Sequence, residues 1–439
     1  MGQGSNSRET PNNDAVIPYE WPGSYFFGEE EEKAVEEVLR ARSPYRFYGH
    51  DLQRYADRLE QAYRERLGRK YALAVNSGTS ALSVAMGALS LGPGDEVLVP
   101  GYMWVSCASA IVRAGAIPRL VDVDDTFCMD PKDLEKKVGA HSRAVLLVHM
   151  SGAPGAVDSI AEFCRARGLY LIEDCAQANG ARFRGKPVGS FGDIAIFSFQ
   201  LNKNITAGEG GLFVCDNPGF YRRAWACHDL GYPRTADGRL DNSDPECQLW
   251  GQGSRCAELL AAVVCAQLPK LDRITENMRR RKYALREKLA TIPGLGFRRI
   301  IDPDGDAGAF LIMNWQDRET CLRVVTETRE MGIRTGPWGI NNIPMTEWGL
   351  HIYYNNSSLV EKRSLSAAGR PWSDPLNSFA AKYEYGKGVL PVLDALLDRS
   401  SLLAIPPVLS DQAVERIAAA FQQVAVESDK NTVRRTGTK

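Results

Sequence analysis

The sequence predicts an α/β fold with a mostly parallel central sheet covered by helices, followed by a smaller C-terminal α+β domain. First, short apolar segments alternate with helical segments between residues 71 and 174, a pattern typical of parallel α/β domains. Second, these apolar segments are continuous, as expected for strands that are covered on both faces. Third, the 439 residues with 44% hydrophobic content are enough for two domains.

Two helices are predicted before the alternating region. The segment 29–41, EEEEKAVEEVLRA, places acidic residues in the first turn and apolar residues along one stripe. The segment from Leu52 to Leu67 keeps the apolar spacing of a helix, and Gly68 follows as a stop signal.

Strands and helices then alternate along the chain. The predicted strands are YALAV (71–75), EVLVP (96–100), IPRLVDV (117–123), AVLLVH (144–149), LYLIED (169–174), IAIFSF (194–199) and GGLFVCD (210–216). The predicted helices between them are SGTSALSVAMGAL (77–89), WVSCASAIVRAG (104–115), DPKDLEKKV (130–138) and DSIAEFCRARG (158–168). Residues 256–292 are predicted as one long helical stretch that leads into the second domain.

The domain organisation follows from these elements and from shifts in composition. We predict a disordered N-terminus (1–18), a large domain (19–280), a small C-terminal domain (281–426) and a disordered tail (427–439). Within the small domain, residues of about 338–390 are irregular and rich in aromatic side chains. This composition fits a binding loop and a structural insertion about equally.

Composition argues against several classes of protein. The 53 basic and 54 acidic residues leave a net charge of −1, so nucleic acid and membrane surfaces are not expected partners. The apolar segments are too short to span a bilayer, and the polar N-terminus lacks a signal-peptide core. The ten cysteines are scattered without a C-x-x-C pair, which indicates reduced thiols in a cytoplasmic protein and no metal site.

Four segments at the predicted carboxyl ends of strands carry polar or aromatic residues, and ligands bind at these ends in open α/β sheets. They are NSGTSAL with Gly78, Thr79 and Ser80, PGYMWVS with Trp104, LIEDCAQANGA with Asp174 and Gln177, and FSFQLNKNITAGEGG with Ser198 and Lys203. Taken singly, each fits a commoner structural role, such as a helix cap, a core aromatic, a turn residue or a solvated lysine.

Together the four segments match the needs of pyridoxal phosphate. Its phosphate binds at a helix N-terminus beside hydroxyl groups, and its ring stacks on an aromatic side chain. Its pyridine nitrogen pairs with a carboxylate, and its aldehyde forms a Schiff base with a lysine. The glycines after Lys203 would let the backbone pass close to such a cofactor.

These motifs resemble the DegT/StrS family of pyridoxal-phosphate enzymes. The resemblance is clear over about residues 20–280 and continues more weakly to about residue 425. Within the family the chain is most similar to members resembling 8-amino-3,8-dideoxy-octulosonate transaminases, which share the DPDGD stretch at 302–306. The resemblance implies the type I aminotransferase fold and a homodimer with shared active sites.

The resemblance also implies roles for individual residues. Lys203 matches the Schiff-base lysine, Asp174 the partner of the pyridine nitrogen, and Gln177 the residue near the ring hydroxyl. Trp104 matches the stacking aromatic. The residues expected at the phosphate are Gly78, Thr79, Ser80 and Ser198. Trp338 and His351 are candidate substrate residues in the aromatic segment.

One position departs from the family pattern. The family usually carries an Asn that reaches the phosphate of the neighbouring subunit, and here the stretch GQGSRCAE places Gly253 at that position. Gln252 and Arg255 are therefore candidates for the cross-subunit contact. The chain keeps Lys203, whereas some members replace this lysine with histidine and become dehydratases.

The predicted function is an aminotransferase that moves an amino group from L-glutamate or L-glutamine to a keto-sugar, a cyclitol or a related carbonyl compound. One alternative is elimination, decarboxylation or aldol-type chemistry on the same fold. Another is a non-catalytic regulator that binds the cofactor, although nothing in the sequence resembles an attached DNA-binding domain. The sequence does not identify the acceptor, the choice between the two amino donors or the pathway.

Overall fold

A computed structural model describes residues 17–334 and 342–436 of the chain. Its helices are α1 (Glu29–Arg40), α2 (Tyr55–Leu67), α3 (Gly78–Ala88), α4 (Val105–Ala114), α5 (Pro131–Lys137), α6 (Val157–Arg167), α7 (Pro218–His228), α8 (Glu258–Gln267), α9 (Leu271–Leu289), α10 (Arg318–Glu330), α11 (Ser357–Val360), α12 (Pro391–Asp398) and α13 (Asp411–Thr436). Across the described ranges, no helix combines the length and apolar character required to cross a membrane.

Seven strands form the large sheet in the order β1-β9-β8-β5-β4-β2-β3. They are β1 (Tyr71–Val75), β2 (Glu96–Pro100), β3 (Ile117–Val121), β4 (Ser142–Val148), β5 (Tyr170–Asp174), β8 (Ile194–Ser198) and β9 (Gly211–Cys215). Strand β9 runs against its neighbours, since it pairs antiparallel with both β1 and β8. The predicted mostly parallel sheet is therefore confirmed. A separate hairpin pairs β6 (Arg182–Phe183) with β7 (Lys186–Pro187).

Both faces of the large sheet are buried, which explains why its strands are continuously apolar. Along β8, Ile194 and Ile196 pack into the core on one face, while Ala195 and Phe197 pack into the core on the other. Since successive strand residues point to opposite faces, covering both faces requires apolar residues at every position.

A smaller antiparallel sheet forms the second half of the structure. It has the order β10-β11-β13-β12 and consists of β10 (Gly296–Phe297), β11 (Phe310–Asn314), β12 (Asn342–Pro344) and β13 (Ser400–Ala404). Helices α9, α10 and α13 contribute to its core. Helix α9 runs through residue 280, where the boundary between the two domains is predicted. The division of the chain at that residue stays a prediction.

The long helical stretch predicted for 256–292 is wrong in one respect. Helix α8 ends at Gln267, the 3₁₀ turn Leu268–Lys270 follows, and α9 begins at Leu271. Pro269 explains the break, because proline has no amide hydrogen and its ring clashes with the preceding helical turn.

The start of α2 also differs from the prediction, which placed it at Leu52. The helix begins at Tyr55, whose amide and that of Ala56 donate to the buried Glu258 carboxylate at 2.6 and 3.1 Å. Arg54, just before the helix, has a positive φ of 56°. A carboxylate distant in sequence therefore caps this helix and sets its first residue.

The aromatic segment divides into two parts with different roles. Residues 342–344 form β12 of the small sheet, and residues 347–351 line a cavity that also contains Lys203. Later residues pack against the edge formed by β2 and β3. There the Tyr383 hydroxyl donates to the Glu96 carboxylate at 2.6 Å, and the Tyr385 hydroxyl donates to the Pro118 carbonyl at 2.8 Å. Described residues 356–398 line neither of the two cavities around Lys203, and the assignment of this part as a structural insertion stays a prediction.

Candidate active site

Lys203 lies in a closely hydrogen-bonded loop between β8 and β9. The Lys203 amide donates to the Gln200 carbonyl at 2.9 Å, and the Leu201 amide donates to the Gly208 carbonyl at 3.1 Å. The Asn204 side chain donates to the Asn179 carbonyl at 2.7 Å, which connects this loop to the one after β5. The lysine therefore occupies a defined position.

Asp174 is buried at the carboxyl end of β5, between Val148 of β4 and Ile196 of β8 in the sheet register. Its carboxylate accepts from the Ala176 amide at 2.9 Å and from the Cys107 thiol at 3.2 Å. Burial raises the pKa of Asp174, and these hydrogen bonds and the charge of Lys203 oppose that rise. A cationic ligand at this carboxylate would stabilise its ionised form.

Asp174 and Lys203 line one cavity of about 370 Å³. Ser77, Gly78 and Thr79, at the N-terminus of α3, and Ser198, at the end of β8, also line it. A Cβ added to Gly78 would lie 2.8 Å from the Ser198 Cβ, so glycine is required for this approach. We call this space the Asp174 cavity.

The hydroxyl groups around the start of α3 differ in their availability. The Ser80 hydroxyl donates to Asn76 Oδ1 at 2.7 Å, and Ser80 is not among the residues that line the cavity in the described structure. Ser77 caps α3 by accepting the Ser80 amide at 3.0 Å. Thr79 Oγ1 lies 2.8 Å from Ser106 Oγ, and both residues line the cavity.

Trp104 precedes α4 and leaves 41% of its surface exposed. Its ring centroid lies 4.7 Å from that of His351, which in turn stacks on Trp348 at 4.6 Å. The His351 carbonyl accepts from the Met103 amide at 2.9 Å. Backbone pairing with the loop after β2 thus brings a residue of the aromatic segment beside Trp104.

A second cavity of about 350 Å³ adjoins the first. Both cavities are lined by Trp104, Gln177, Asn202, Lys203 and His351. The second also includes Glu20 and Pro22 near the N-terminus and Ile343, Glu347 and Trp348 from the aromatic segment. We call it the Glu20 cavity. Trp338, the other predicted substrate residue, lies outside the described residues.

Gln177 is held by a chain of contacts that begins at Arg298, the residue directly after β10. Gln177 Oε1 accepts from the Ser151 amide at 3.0 Å, and the Ser151 hydroxyl lies 2.8 Å from that of Tyr102. On either side of Ser151, the buried Arg298 guanidinium donates to the Met150 and Ala153 carbonyls, both at 2.8 Å. Arg298 therefore fixes the loop that positions Gln177.

Replacing Arg298 with methionine is expected to destabilise the fold by at least about 3 kcal/mol, because it leaves buried carbonyl groups without donors. The midpoint of urea unfolding measures this loss. Arg299→Met is the matched control: Arg299 forms half-exposed ion pairs with Asp124 and Asp125, and such pairs contribute about 1 kcal/mol or less. Equal midpoints for the two variants would contradict the role of Arg298.

Comparison with known proteins gives this geometry a family context. The chain matches the model of the DegT/DnrJ/EryC1/StrS aminotransferase family over residues 27–368. The chain belongs to this family. Its members depend on pyridoxal phosphate, and the family found here is the one that the sequence motifs indicate.

Two curated relatives are similar over part of their length. The chain is 37% identical over 279 residues to L-glutamine:scyllo-inosose aminotransferase of Streptomyces griseus, covering 60% of this chain and 63% of that protein. It is 32% identical over 286 residues to a putative L-glutamine:3-amino-2,3-dideoxy-scyllo-inosose aminotransferase of Micromonospora echinospora, covering 64% and 66%. The matched regions thus span slightly less than two thirds of these relatives.

Among solved structures, 3-amino-5-hydroxybenzoic acid synthase superposes with a TM-score of 0.74 at 25% identity. The match covers 91% of this chain and 97% of that one. The structural neighbours of this chain are pyridoxal-phosphate aminotransferases of the type I fold. The predicted fold class of this DegT/DnrJ/EryC1/StrS chain is therefore confirmed.

Several cavity-lining residues escaped the sequence analysis of this family member. They are Glu20, Ser77, Ser106, Met150, Asn202 and Glu347. Ser77 lies within the NSGTSAL motif and Asn202 directly precedes Lys203, so proximity to a motif is a usable signal for both. Glu347 lies in the aromatic segment that fits a binding loop, whereas for Glu20 the sequence offers no comparable signal, because tertiary packing alone brings it to the cavity.

Gln252 and Arg255, predicted to reach a neighbouring subunit, do not line either cavity in the described part of their own chain. Arg255 Nη1 forms an ion pair with the buried Asp229 carboxylate at 2.6 Å, and its guanidinium lies over the Tyr45 ring. Gly253 has a φ of 65°, and a Cβ there would meet nothing closer than Arg255 Nη1 at 4.0 Å.

Proposed function

We propose that this chain is a pyridoxal-phosphate-dependent aminotransferase that transfers an amino group from L-glutamine or L-glutamate to a keto-sugar, a cyclitol or a related carbonyl compound. The observation that carries the proposal is the position of Lys203 where two cavities meet, with Asp174 in one of them. This arrangement offers one space for a cofactor and an adjoining space for substrates. Family membership supports the same assignment.

The residues of the Asp174 cavity offer the chemical groups that pyridoxal phosphate needs. The amide groups at the start of α3, with Thr79 and Ser198, would hold the phosphate. Asp174 would accept from the protonated pyridine nitrogen, and Trp104 would cover the ring. Gln177 would lie near the ring hydroxyl. When bound, the cofactor supplies an electron-accepting ring that stabilises negative charge on the carbon that loses its proton.

Lys203 Nζ is the group that moves the proton. Burial lowers the pKa of Lys203, and the charge of Asp174 opposes that change. A lowered pKa raises the fraction of free amine near neutral pH, as a general base requires. Lys203 would take the proton from the α-carbon of the amino donor and later return one to the carbon that was the acceptor's carbonyl.

The overall exchange needs no external oxidant or reductant. The donor gives its amino group and α-hydrogen and becomes a keto acid, while the acceptor carbonyl becomes a carbon bearing an amino group. Both substrates would use the Glu20 cavity in turn, since it adjoins Lys203. Lys203 and the Asp174 cavity thereby serve both halves of the reaction.

The first half-reaction tests this function. The protein is reconstituted with pyridoxal phosphate and mixed with L-glutamine or L-glutamate in the absence of any acceptor. We expect the visible absorbance of the lysine-bound cofactor to disappear as pyridoxamine phosphate and a keto acid form in equal amounts. Release of ammonia or carbon dioxide without pyridoxamine phosphate would indicate elimination or decarboxylation, and no response to amino acids would overturn the proposal.

We also propose a cytoplasmic homodimer with shared active sites. The position of Arg255 and Gln252 outside the cavities of their own chain supports a role towards a neighbouring subunit. Trp250, in the same loop, exposes 96% of its surface, as expected for a side chain that a partner covers. All ten cysteines are free thiols in the structure and nine of them are buried, which suits a reducing compartment.

Replacing Gly253 with asparagine is expected to tighten cofactor binding by about tenfold in the dimer, since one added hydrogen bond to a charged group contributes about 1.5 kcal/mol or more. Asparagine tolerates a positive φ better than most residues, and the space around Gly253 is open. The dissociation constant of pyridoxal phosphate measures the effect.

Gly253→Ala is the matched control for this prediction, because it introduces the same backbone strain without an amide group. The asparagine variant should bind the cofactor more tightly than the alanine variant. Equal affinities would show that the amide does not reach the phosphate.

A further inference from the structure

The orientation of the Gln177 amide is set by a main-chain group. Its Oε1 accepts a hydrogen bond from the Ser151 amide at 3.0 Å. Because a backbone N–H can only donate, the side-chain oxygen must face Ser151, and the amino group Nε2 must face another way. Nε2 has no hydrogen-bond partner among the described residues, and Gln177 lines both cavities. The Gln177 side chain therefore offers a free donor at the wall of the cofactor site.

Ser151 donates this hydrogen bond from a strained backbone conformation. Its φ and ψ are 57° and 30°, which is the left-handed region that is unfavourable for a residue with a Cβ. Such a conformation persists only where neighbouring contacts enforce it. If Ser151 relaxed to a negative φ, the loop from Met150 to Ala153 would change course, and the amide would lose its alignment with Gln177 Oε1.

The Tyr102 hydroxyl holds the side chain of this strained residue. It lies 2.8 Å from the Ser151 hydroxyl, and it is the hydrogen-bond partner of that group within the described ranges. Both side chains are fully buried. Burial raises the pKa of Tyr102 to about 12, so the phenol keeps its hydrogen near neutral pH and can donate it. Arg298 holds the carbonyls on either side of Ser151, whereas Tyr102 holds Ser151 itself.

Tyr102 is anchored independently of Ser151. Its backbone forms an antiparallel bridge with Ile352 of the aromatic segment, and the Tyr353 amide donates to the Gly101 carbonyl at 3.0 Å. The Tyr102 ring also packs edge to face against Phe127, with 6.2 Å between the ring centroids. The phenol is thus a fixed point against which the Ser151 loop is held.

We propose that Tyr102 is a positioning residue that acts on the cofactor through Ser151 and Gln177. It holds the Ser151 amide against Gln177 Oε1 and thereby turns Gln177 Nε2 towards the ring hydroxyl of pyridoxal phosphate. Tyr102 lines neither cavity in the described structure, so its effect is indirect. The inference rests on the proposed function, in which Gln177 lies near this hydroxyl.

A donor at the ring oxygen changes the acidity of the nitrogen that joins Lys203 to the cofactor. When that nitrogen loses its proton, the oxygen carries the full negative charge, whereas the two atoms share the proton when it is present. A hydrogen bond from Gln177 therefore favours the deprotonated form and lowers the pKa of the nitrogen. Loss of this bond should raise the pH at which the visible absorbance of the lysine-bound cofactor changes.

Other ionisable groups also act on this nitrogen. Those around Lys203 come from β5, α4, the lysine loop and the aromatic segment, and they are Asp174, Cys107, Glu209 and His351. Those near the Tyr102 hydroxyl are Arg298 and Cys128. The test below leaves all of these groups in place and changes no charge, so a shift in the absorbance reports on the hydrogen bond to the ring oxygen.

Tyr102→Phe and Ser151→Ala each remove the contact between the two hydroxyl groups, and the visible absorbance of the protein loaded with pyridoxal phosphate is titrated against pH. The midpoint should rise by about half a unit in both variants and by about one unit in Gln177→Ala, the range expected for weakening or losing one hydrogen bond. In the protein without cofactor, the Ser151 amide should exchange its hydrogen faster in Tyr102→Phe than in the wild type.

Combined variants separate positioning from a general loss of stability. Tyr102→Phe should have no further effect when Gln177 is already alanine, because its influence passes through that side chain. Adding Ser151→Gly to Tyr102→Phe should return the midpoint towards the wild-type value, since glycine adopts a positive φ without strain. Tyr385→Phe is the matched control: it removes another buried tyrosine hydroxyl, which donates to the Pro118 carbonyl at 2.8 Å outside both cavities. It should lower the unfolding midpoint without moving the absorbance titration.

Unchanged titration midpoints in both Tyr102→Phe and Ser151→Ala would overturn the inference, and a normal donor half-reaction in the same proteins would leave the aminotransferase function intact. An equal shift in Tyr385→Phe would overturn it as well, because the shift would then report on stability. A wild-type protein that gains no visible absorbance with pyridoxal phosphate would instead contradict the proposed function itself.

Discussion

The Lys203→Ala protein is expected to bind pyridoxal phosphate without the visible absorbance of a lysine-bound cofactor and to lose nearly all turnover. Loss of the acid–base group alone lowers the rate by roughly 10²–10⁴-fold, and loss of covalent attachment lowers it further. The fold should persist, because the loop around Lys203 is held by backbone hydrogen bonds that alanine retains. Absorbance spectra and steady-state turnover measure the two effects.

Lys186→Ala is the control for this experiment, since Lys186 is exposed in the hairpin of β6 and β7 and lies outside both cavities. Small primary amines added to the Lys203→Ala protein should restore part of its activity by accepting the proton instead. Repeated turnover of Lys203→Ala at a rate close to that of the wild type would show that another group does this work.

The Asp174→Asn protein is expected to keep part of its cofactor affinity and to lose roughly 10²–10⁴-fold in kcat. Removing one partner of a buried ion pair costs about 3–5 kcal/mol, and about 1.4 kcal/mol corresponds to tenfold in rate. An amide cannot hold the pyridine nitrogen in its protonated form, so the ring accepts electrons poorly. Single-turnover rates of the donor half-reaction isolate this effect from substrate binding.

Asp304→Asn serves as the control for that variant, because Asp304 is exposed and lies outside both cavities. The asparagine side chain introduced by Asp174→Asn is close to isosteric with the carboxylate that it replaces, so unfolding midpoints should remain near that of the wild type. A single-turnover rate within a factor of a few of the wild type would assign protonation of the ring to another group.

Much of the large domain could be predicted from sequence because its signals are local. Continuous apolar strands such as Ile194–Ser198 require cover on both faces. Together with the alternation of strands and helices, that requirement predicts the parallel sheet. The order of the polar segments at strand ends also placed Gly78, Trp104, Asp174 and Lys203 at one edge, where the structure brings them around a single cavity.

Boundaries that depend on distant residues could not be predicted in this way. Helix α2 begins at Tyr55 because the Glu258 carboxylate caps it, and no local signal near residue 52 contains that information. The aromatic segment posed the same difficulty. Its composition left a binding loop and an insertion equally open, and the structure assigns its first part to the cavity and its later part to the edge beside Glu96 and Pro118.

The fold class, the family and the residue types needed for cofactor chemistry can all be predicted from the sequence, since each follows from short motifs and their spacing. Long-range packing decides which groups line the cavity that adjoins Lys203. Glu20, Trp348 and His351 come from distant parts of the chain and converge on Lys203 through the backbone contacts of Gly23 and Met103. The position of Glu20 depends on long-range packing and has no local trace in the sequence. His351 lies in the aromatic segment, whose composition already fits a binding loop.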